Sequence, residues 1–245
     1  MPEGDTLHRT AAQLQVLVGE RVEAVAPHPR GAATGVAAAV DGRRLERVEA
    51  VGKNLLLQFE GGLVVRSHLR MSGRWRVEPR GAERSGKPWL VLRGGEWEAV
   101  QWNGPVLTLG SGGVDALGPD VLADGVGPET LVRAVRRTDQ RRAVGEVLLD
   151  QHVVSGIGTM WLAELLWQAR LSPWQAVGGI DDHVLHEALA RCRSTMRAAV
   201  SGIRPLRSVY GRGGRACPRC ATPITFGRVG DSSRAVFWCP HCQST

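Results

Sequence analysis

The tightest constraint on the fold lies near the C-terminal end, where Cys217-Pro218-Arg219-Cys220 is followed, after eighteen residues, by Cys239-Pro240-His241-Cys242. Two Cys-x-x-Cys pairs at this spacing can place four thiolates around one tetrahedral Zn²⁺. A segment of about 30 residues with so few apolar side chains has little else to fold around. His241 sits inside the second pair, but Cys217, Cys220, Cys239 and Cys242 already fill the coordination shell. Residues 223–228 and 234–238 read as two strands of a hairpin joined by Gly230-Asp231-Ser232-Ser233, which puts Arg234 beside the tip. The fifth cysteine, Cys192, falls on the apolar stripe of a predicted helix with Leu185, Ala188, Met196 and Ala199, the position of a core thiol rather than a reactive one.

The remaining chain is long enough for a large core, with 245 residues and 43% hydrophobic content. Leu7, Ala11, Leu14 and Val18 recur at helical spacing, with Asp5 or Thr6 as the expected N-cap and Gly19 as the stop. From Arg21 to about Leu109 the pattern becomes short strands punctuated by glycine, a β-sandwich or barrel signature. Residues 54–59 and 63–68 flank the turn Glu60-Gly61-Gly62, and 89–93, 96–102 and 106–109 read as further strands. A glycine-rich stretch over 110–127 marks a domain boundary, and helices are predicted over 128–137, 141–149, 159–169 and from 182 to Gly202. The fold class expected is α+β and multidomain. Residues 1–118 form a leading helix and β-sandwich, 119–206 a helical domain with a helix–two-turn–helix, and 207–245 a zinc β-hairpin.

Charge narrows the partners. Lys and Arg number 31 against 24 Asp and Glu, a formal +7, and the only lysines are Lys53 and Lys87. Such a surface suits nucleic acid. No run of about 18 apolar residues exists to span a membrane, and no basic-then-apolar leader precedes the first motif, so a soluble, cytoplasmic protein is expected.

Several positions could carry chemistry. If Met1 is trimmed, Pro2 becomes a secondary amine with Glu3 beside it. An α-amino group titrates near 7.7–8.0, so a good fraction is free to attack an aldehyde carbon and form an iminium. Many chains nevertheless begin Met-Pro-Glu for no chemical reason. Lys53 lies at the mouth of a strand, where a solvated lysine is equally ordinary. Arg70 and Met71 lie on a loop leaving a strand; methionine commonly fills cores, but on a loop it can fill the gap left by an extruded base. Gly156, Gly158 and the helix start at Thr159 offer backbone N–H groups to a phosphate, although packing alone can also require two glycines there.

Taken in order, these motifs resemble the formamidopyrimidine-DNA glycosylase and endonuclease VIII family of DNA repair enzymes, and the resemblance runs essentially end to end. It rests on Pro2-Glu3-Gly4, Gly52-Lys53, the helix–two-turn–helix at 148–166, Val209-Tyr210-Gly211-Arg212, and Arg234 before Phe237-Trp238-Cys239. The Pro-Glu-Gly opening is closer to the endonuclease VIII branch. The resemblance implies a bifunctional glycosylase and AP lyase acting as a monomer on damaged double-stranded DNA, removing oxidised bases, pyrimidines above all, with one structural Zn²⁺ and no small-molecule cofactor. It also implies roles: Pro2 as nucleophile, Glu3 as acid, Lys53 in β-elimination, Arg234 in δ-elimination and phosphate binding. Arg70 and Met71 would fill the void, and Gly156, Gly158 and Thr159 would hold backbone phosphate. Thr6 and Thr159 depart from the glutamate and asparagine usual there, and the later void-filling Arg and Phe are not evident near residues 102–105. Glu164 is expected to help anchor the N-terminus. A non-catalytic zinc protein that binds DNA damage, or a zinc-braced structural protein, would share the hairpin without the chemistry.

Overall fold

The computed structural model describes residues 2–230 and 233–244, so Met1, and Asp231 and Ser232 of the predicted turn, lie outside the described residues. The chain divides into two compact units, residues 1–115 and 116–245.

The first unit opens with α1 (Gly4–Leu14), whose buried Leu7, Ala11 and Leu14 face the sheets. Two four-stranded antiparallel sheets follow. One is built from β2 (Leu45–Val51), β3 (Asn54–Phe59), β4 (Leu63–His68) and β8 (Val106–Leu109) in that order. The other runs β1 (Glu23–Val25), β6 (Leu90–Arg93), β7 (Trp97–Trp102), β5 (Arg74–Pro79). Leu55, Leu57 and Phe59 of the first sheet share one core with Trp75, Leu90, Leu92 and Ala99 of the second, which makes the sandwich expected. Residues 29–40, read as strand-rich, instead hold two short helices, α2 (Pro29–Ala32) and α3 (Val36–Val40). Pro29 at the helix start and the alanine run explain them.

One polar stitch joins the sheets. The Ser67 hydroxyl, fully buried in β4, accepts from Trp75 Nε1 at 3.1 Å and from Gln101 Nε2 at 2.6 Å. Both donors belong to the opposite sheet.

The second unit packs α4 (Pro128–Arg136), α5 (Val144–Leu149), α6 (Thr159–Ala169) and α7 (Asp182–Val200) around a single core. α6 is buried from Thr159 to Leu166, hence apolar on nearly every face. A hairpin of β9 (Thr225–Val229) and β10 (Arg234–Trp238) completes the unit. Val229 and Val236 enter the helical core, and Trp238 meets Trp174 edge-on with centroids 4.4 Å apart. No helix among the described residues is long and apolar enough to cross a membrane.

Ser67→Ala would strand two buried donors, each costing about 1–3 kcal/mol. Urea unfolding should show the first unit destabilised by about 2–6 kcal/mol; a loss below about 1 kcal/mol would show that the stitch carries no weight.

Candidate active site

In the first unit the site begins at the chain end. Glu3 is 1% exposed and is itself the N-cap of α1. Its carbonyl accepts from Thr6 N–H at 3.0 Å and Leu7 N–H at 3.2 Å. The cap expected at Asp5 or Thr6 therefore lies earlier, because Gly4 and Asp5 are already helical. Pro2 is half-buried directly before it. α1 packs on β2 and β3, and the turn joining those strands holds Lys53.

That turn is a two-residue hairpin, closed by the pair Val51 and Asn54, with Gly52 at φ +60°. A left-handed φ there suits glycine, and Lys53 is the second residue of the turn. Asn54, buried, donates to Val51 O at 3.3 Å and accepts from Arg66 Nε at 2.9 Å. Arg66 also donates to Gly112 O at 2.6 Å, so the turn is tied to the loop after β8.

β4 ends at His68 and runs into the turn of Arg70 and Met71. Arg70 has φ +50°. Met71 is 68% exposed, which excludes the core-filler reading. Gly73 N–H closes the turn on Leu69 O at 2.8 Å, and a Cβ at Gly73 would stand 2.6 Å from that oxygen and 2.8 Å from Asn103 O. Only glycine lets this loop fold so tightly. His68 was not singled out in sequence. Its Nδ1 accepts from Arg70 N–H at 3.0 Å, which places the proton of the neutral ring on Nε2. Burial, and then the cations Arg70, Arg66 and Lys53, push its pKa from 6.5 down to about 4.

In the second unit, α5 and α6 flank the two-glycine turn. Gly156 has φ +98°, as a tight turn requires, but its N–H donates to Gln151 Oε1 at 3.1 Å. Gly156 is thus engaged internally through its N–H. Its part is the backbone geometry that brings Gly158, the N-cap, and buried Thr159 to the head of α6. Glu164, expected to anchor the N-terminus, is 3% exposed and accepts from three backbone N–H groups: Ser208 at 2.8 Å, Val209 at 3.0 Å and Tyr210 at 2.9 Å. It locks the strap that leads into the cysteine segment.

Arg234 is exposed at the first position of β10 and has no ion pair among the described residues. It lines a cleft of about 360 Å³ with Arg142, Glu146, Asp150 and His152. Arg142 there is already paired, to Glu146 at 2.8 Å and Asp150 at 3.3 Å. Glu146 also sets the hairpin tip: Gly230 has φ +68°, and a Cβ on it would fall 2.5 Å from Glu146 Cγ. The sequence held no periodic signal for this contact.

The four cysteine Sγ atoms all lie within 4.8 Å of one another. Cys220 to Cys239 and Cys220 to Cys242 are 3.4 Å and Cys217 to Cys242 is 4.0 Å. A tetrahedron with metal–sulfur bonds of about 2.3 Å has edges of about 3.8 Å. The cluster fits one metal ion.

A helix-led sandwich, a helix–two-turn–helix and a four-cysteine hairpin together define a nucleic-acid-processing class of protein. Residues 1–100 match the family model of the formamidopyrimidine-DNA glycosylase N-terminal domain, and 117–207 that of the formamidopyrimidine-DNA glycosylase H2TH domain. The chain belongs to the formamidopyrimidine-DNA glycosylase family, as the order of its motifs implied. It is 34% identical over 267 residues to a Streptomyces coelicolor protein named "Probable endonuclease 8 2", covering 100% of this chain and 94% of that one. It is 31% identical to Endonuclease 8 1 of Mycobacterium tuberculosis, with both chains covered in full. In fold it is similar to the Lactococcus lactis formamidopyrimidine-DNA glycosylase bound to AP-site DNA, with TM-score 0.81 and 21% identity over 99% of this chain and 100% of that one.

The His68 shift has a fixed sign. The unfolded chain takes up a proton near pH 6.5 and the folded one near 4, so the unfolded state binds more protons in between. The stability present above pH 6.5 is lost as pH falls through that window. An NMR titration should find the His68 ring neutral at pH 5.5, and His68→Gln should flatten the pH dependence of unfolding between pH 6.5 and 4. A ring titrating near 6.5 would remove the basis for this.

Proposed function

We propose that the protein is a bifunctional DNA glycosylase and AP lyase that removes oxidised bases, pyrimidines above all, from damaged double-stranded DNA. The observation that carries this reading is the pair Pro2 and Glu3, held at the buried head of α1 in a chain that matches the family over both units. Once Met1 is removed, the Pro2 nitrogen attacks C1′ of the damaged nucleotide. The N-glycosidic bond breaks, the base leaves with its electron pair, and an iminium joins Pro2 to the opened sugar. Glu3 supplies the proton that lets the ring oxygen open. Loss of a C2′ proton then expels the 3′ phosphate oxygen, with Lys53 handling the proton.

Binding falls to the remaining residues. Met71, exposed beside Arg70, fills the space the extruded nucleotide leaves, which offsets part of the unstacking cost of a few kcal/mol. The head of α6, Gly158 and Thr159, and the unpaired Arg234 hold backbone phosphates. Arginine scarcely deprotonates, so Arg234 orients a phosphate in any δ-elimination rather than acting as an acid. The ion at Cys217, Cys220, Cys239 and Cys242 is one Zn²⁺ that braces the hairpin and takes no part in bond breaking. The protein acts as a monomer in the cytoplasm, without a small-molecule cofactor.

Borohydride reduction in the presence of lesion or abasic DNA should yield a covalent adduct whose tryptic map places the sugar on Pro2. Glu3→Gln should slow base excision at least about a hundredfold while binding abasic DNA with little change. Absence of any adduct from the wild-type protein across a panel of oxidised bases would instead favour a non-catalytic damage-binding protein. For the metal, elemental analysis should return one zinc per chain, and its removal by a chelator should weaken DNA binding; undiminished binding by metal-free protein would overturn the bracing role.

A further inference from the structure

The last turn of α6 carries a tryptophan whose polar edge is used in a specific way. Trp167 is half-buried, its ring packed with Ala163, Val209, Ile224 and the cysteines. Its Nε1–H donates to Cys217 Sγ at 3.4 Å. Arg219, inside the first Cys-x-x-Cys pair, covers the same ring with its guanidinium carbon 4.1 Å from the centroid. The Arg219 Nη1 also donates to the Trp167 carbonyl at 3.1 Å. Packing alone would be served by a phenylalanine. An indole N–H is a donor with no acceptor capacity, so its placement on a sulfur rather than on water or a carbonyl has an electrostatic consequence.

We propose that Trp167 is a positioning residue of the metal site, fixing the Cys217 thiolate through an N–H···S bond and drawing charge from it, with Arg219 reinforcing the effect across the ring. This rests on the reading that Zn²⁺ occupies the four cysteines. Four thiolates around a dication carry a formal charge of about −2, and a donor and a cation held against that charge favour the loaded site. Partners of this outer kind typically contribute about 10–100-fold in metal affinity. The arrangement also has a structural consequence. α6 begins at the two-glycine turn and ends at Ala169, with Trp167 in its last turn, a helix of about 16 Å. The element proposed to seat phosphate at its head therefore holds a metal-site sulfur from its tail.

The test compares the full-length protein with Trp167→Phe and Arg219→Gln. Zinc affinity is read by competition with a chromophoric chelator, and the sulfur-to-metal charge-transfer band is read after Co²⁺ replaces Zn²⁺. Trp167→Phe should bind zinc about tenfold more weakly, and its charge-transfer band should move to lower energy, because sulfur that has lost a hydrogen bond gives up charge more readily. Arg219→Gln, which keeps the indole, should move both readings in the same direction by less. If Trp167→Phe does not fold, Arg219→Gln decides alone. Wild-type affinity and an unmoved band in the variants that fold would overturn the proposal while leaving the zinc reading intact. A wild-type protein that takes up no zinc would instead remove the zinc reading beneath it.

Discussion

The burial of one stripe on α1 is the constraint on which the catalytic reading depends. A chain end is ordinarily the least ordered part of a protein, yet an amine acting on a sugar carbon must be held near bonding distance of it. Leu7 and Leu14, 1% and 0% exposed, each contribute about 1.5–3 kcal/mol by leaving water. Fixing the backbone of Pro2 and Glu3 costs about 1–2 kcal/mol per residue. The two leucines match or exceed that cost. Side chains further along the helix therefore contribute to holding the chain end in place.

The second unit faces the opposite problem: Arg234 stands on a two-stranded hairpin, which is marginally stable at best by itself. Three independent contacts answer it. The cysteine cluster ties the base of the hairpin to the Cys217-Pro218-Arg219-Cys220 segment, Val229 and Val236 insert into the helical core, and Gly230 lies so close to Glu146 that no side chain fits between them. Glu164 supplies a fourth restraint upstream by gathering the N–H groups of residues 208–210. The cysteine cluster, the core and α5 each fix a different point along the same two strands, so Arg234 stands on a braced edge.

What the sequence disclosed follows from which signals are local. The hairpin of residues 54–59 and 63–68 and the helix over 159–169 were legible to the residue, because a Glu-Gly-Gly turn and a continuous apolar run are decided within a few positions. β1 and β2 were not, since three residues in one and charged Glu46, Arg47 and Glu49 in the other blur alternation. The cap of α1 was misplaced because Glu3 lacks the short side chain usual at that position. Among site residues, Pro2, Lys53 and the cysteines were visible as residue types in a telling order. The engagement of Gly156 by Gln151, the neutral ring of His68 and the three-way bond of Glu164 were hidden, because each depends on a partner that only the folded backbone brings near.

Net charge takes on meaning only when the arginines are sorted by their partners. Many are committed within the fold: Arg93 to Glu23 and Glu98, Arg136 to Asp182, Arg142 to Glu146 and Asp150. For these, meeting a phosphate means giving up a carboxylate, so the gain is small. Arg70 and Arg234 have no carboxylate partner among the described residues, and each sits on a tight turn or a strand edge exposed to solvent. A phosphate oxygen there gains a charge-assisted bond without displacing one. The formal +7 is thus not a uniform coat: some cations are neutralised within the fold, while others, Arg70 and Arg234 among them, have no carboxylate partner among the described residues. An arginine that the fold has left without a carboxylate would meet a phosphate at no such cost.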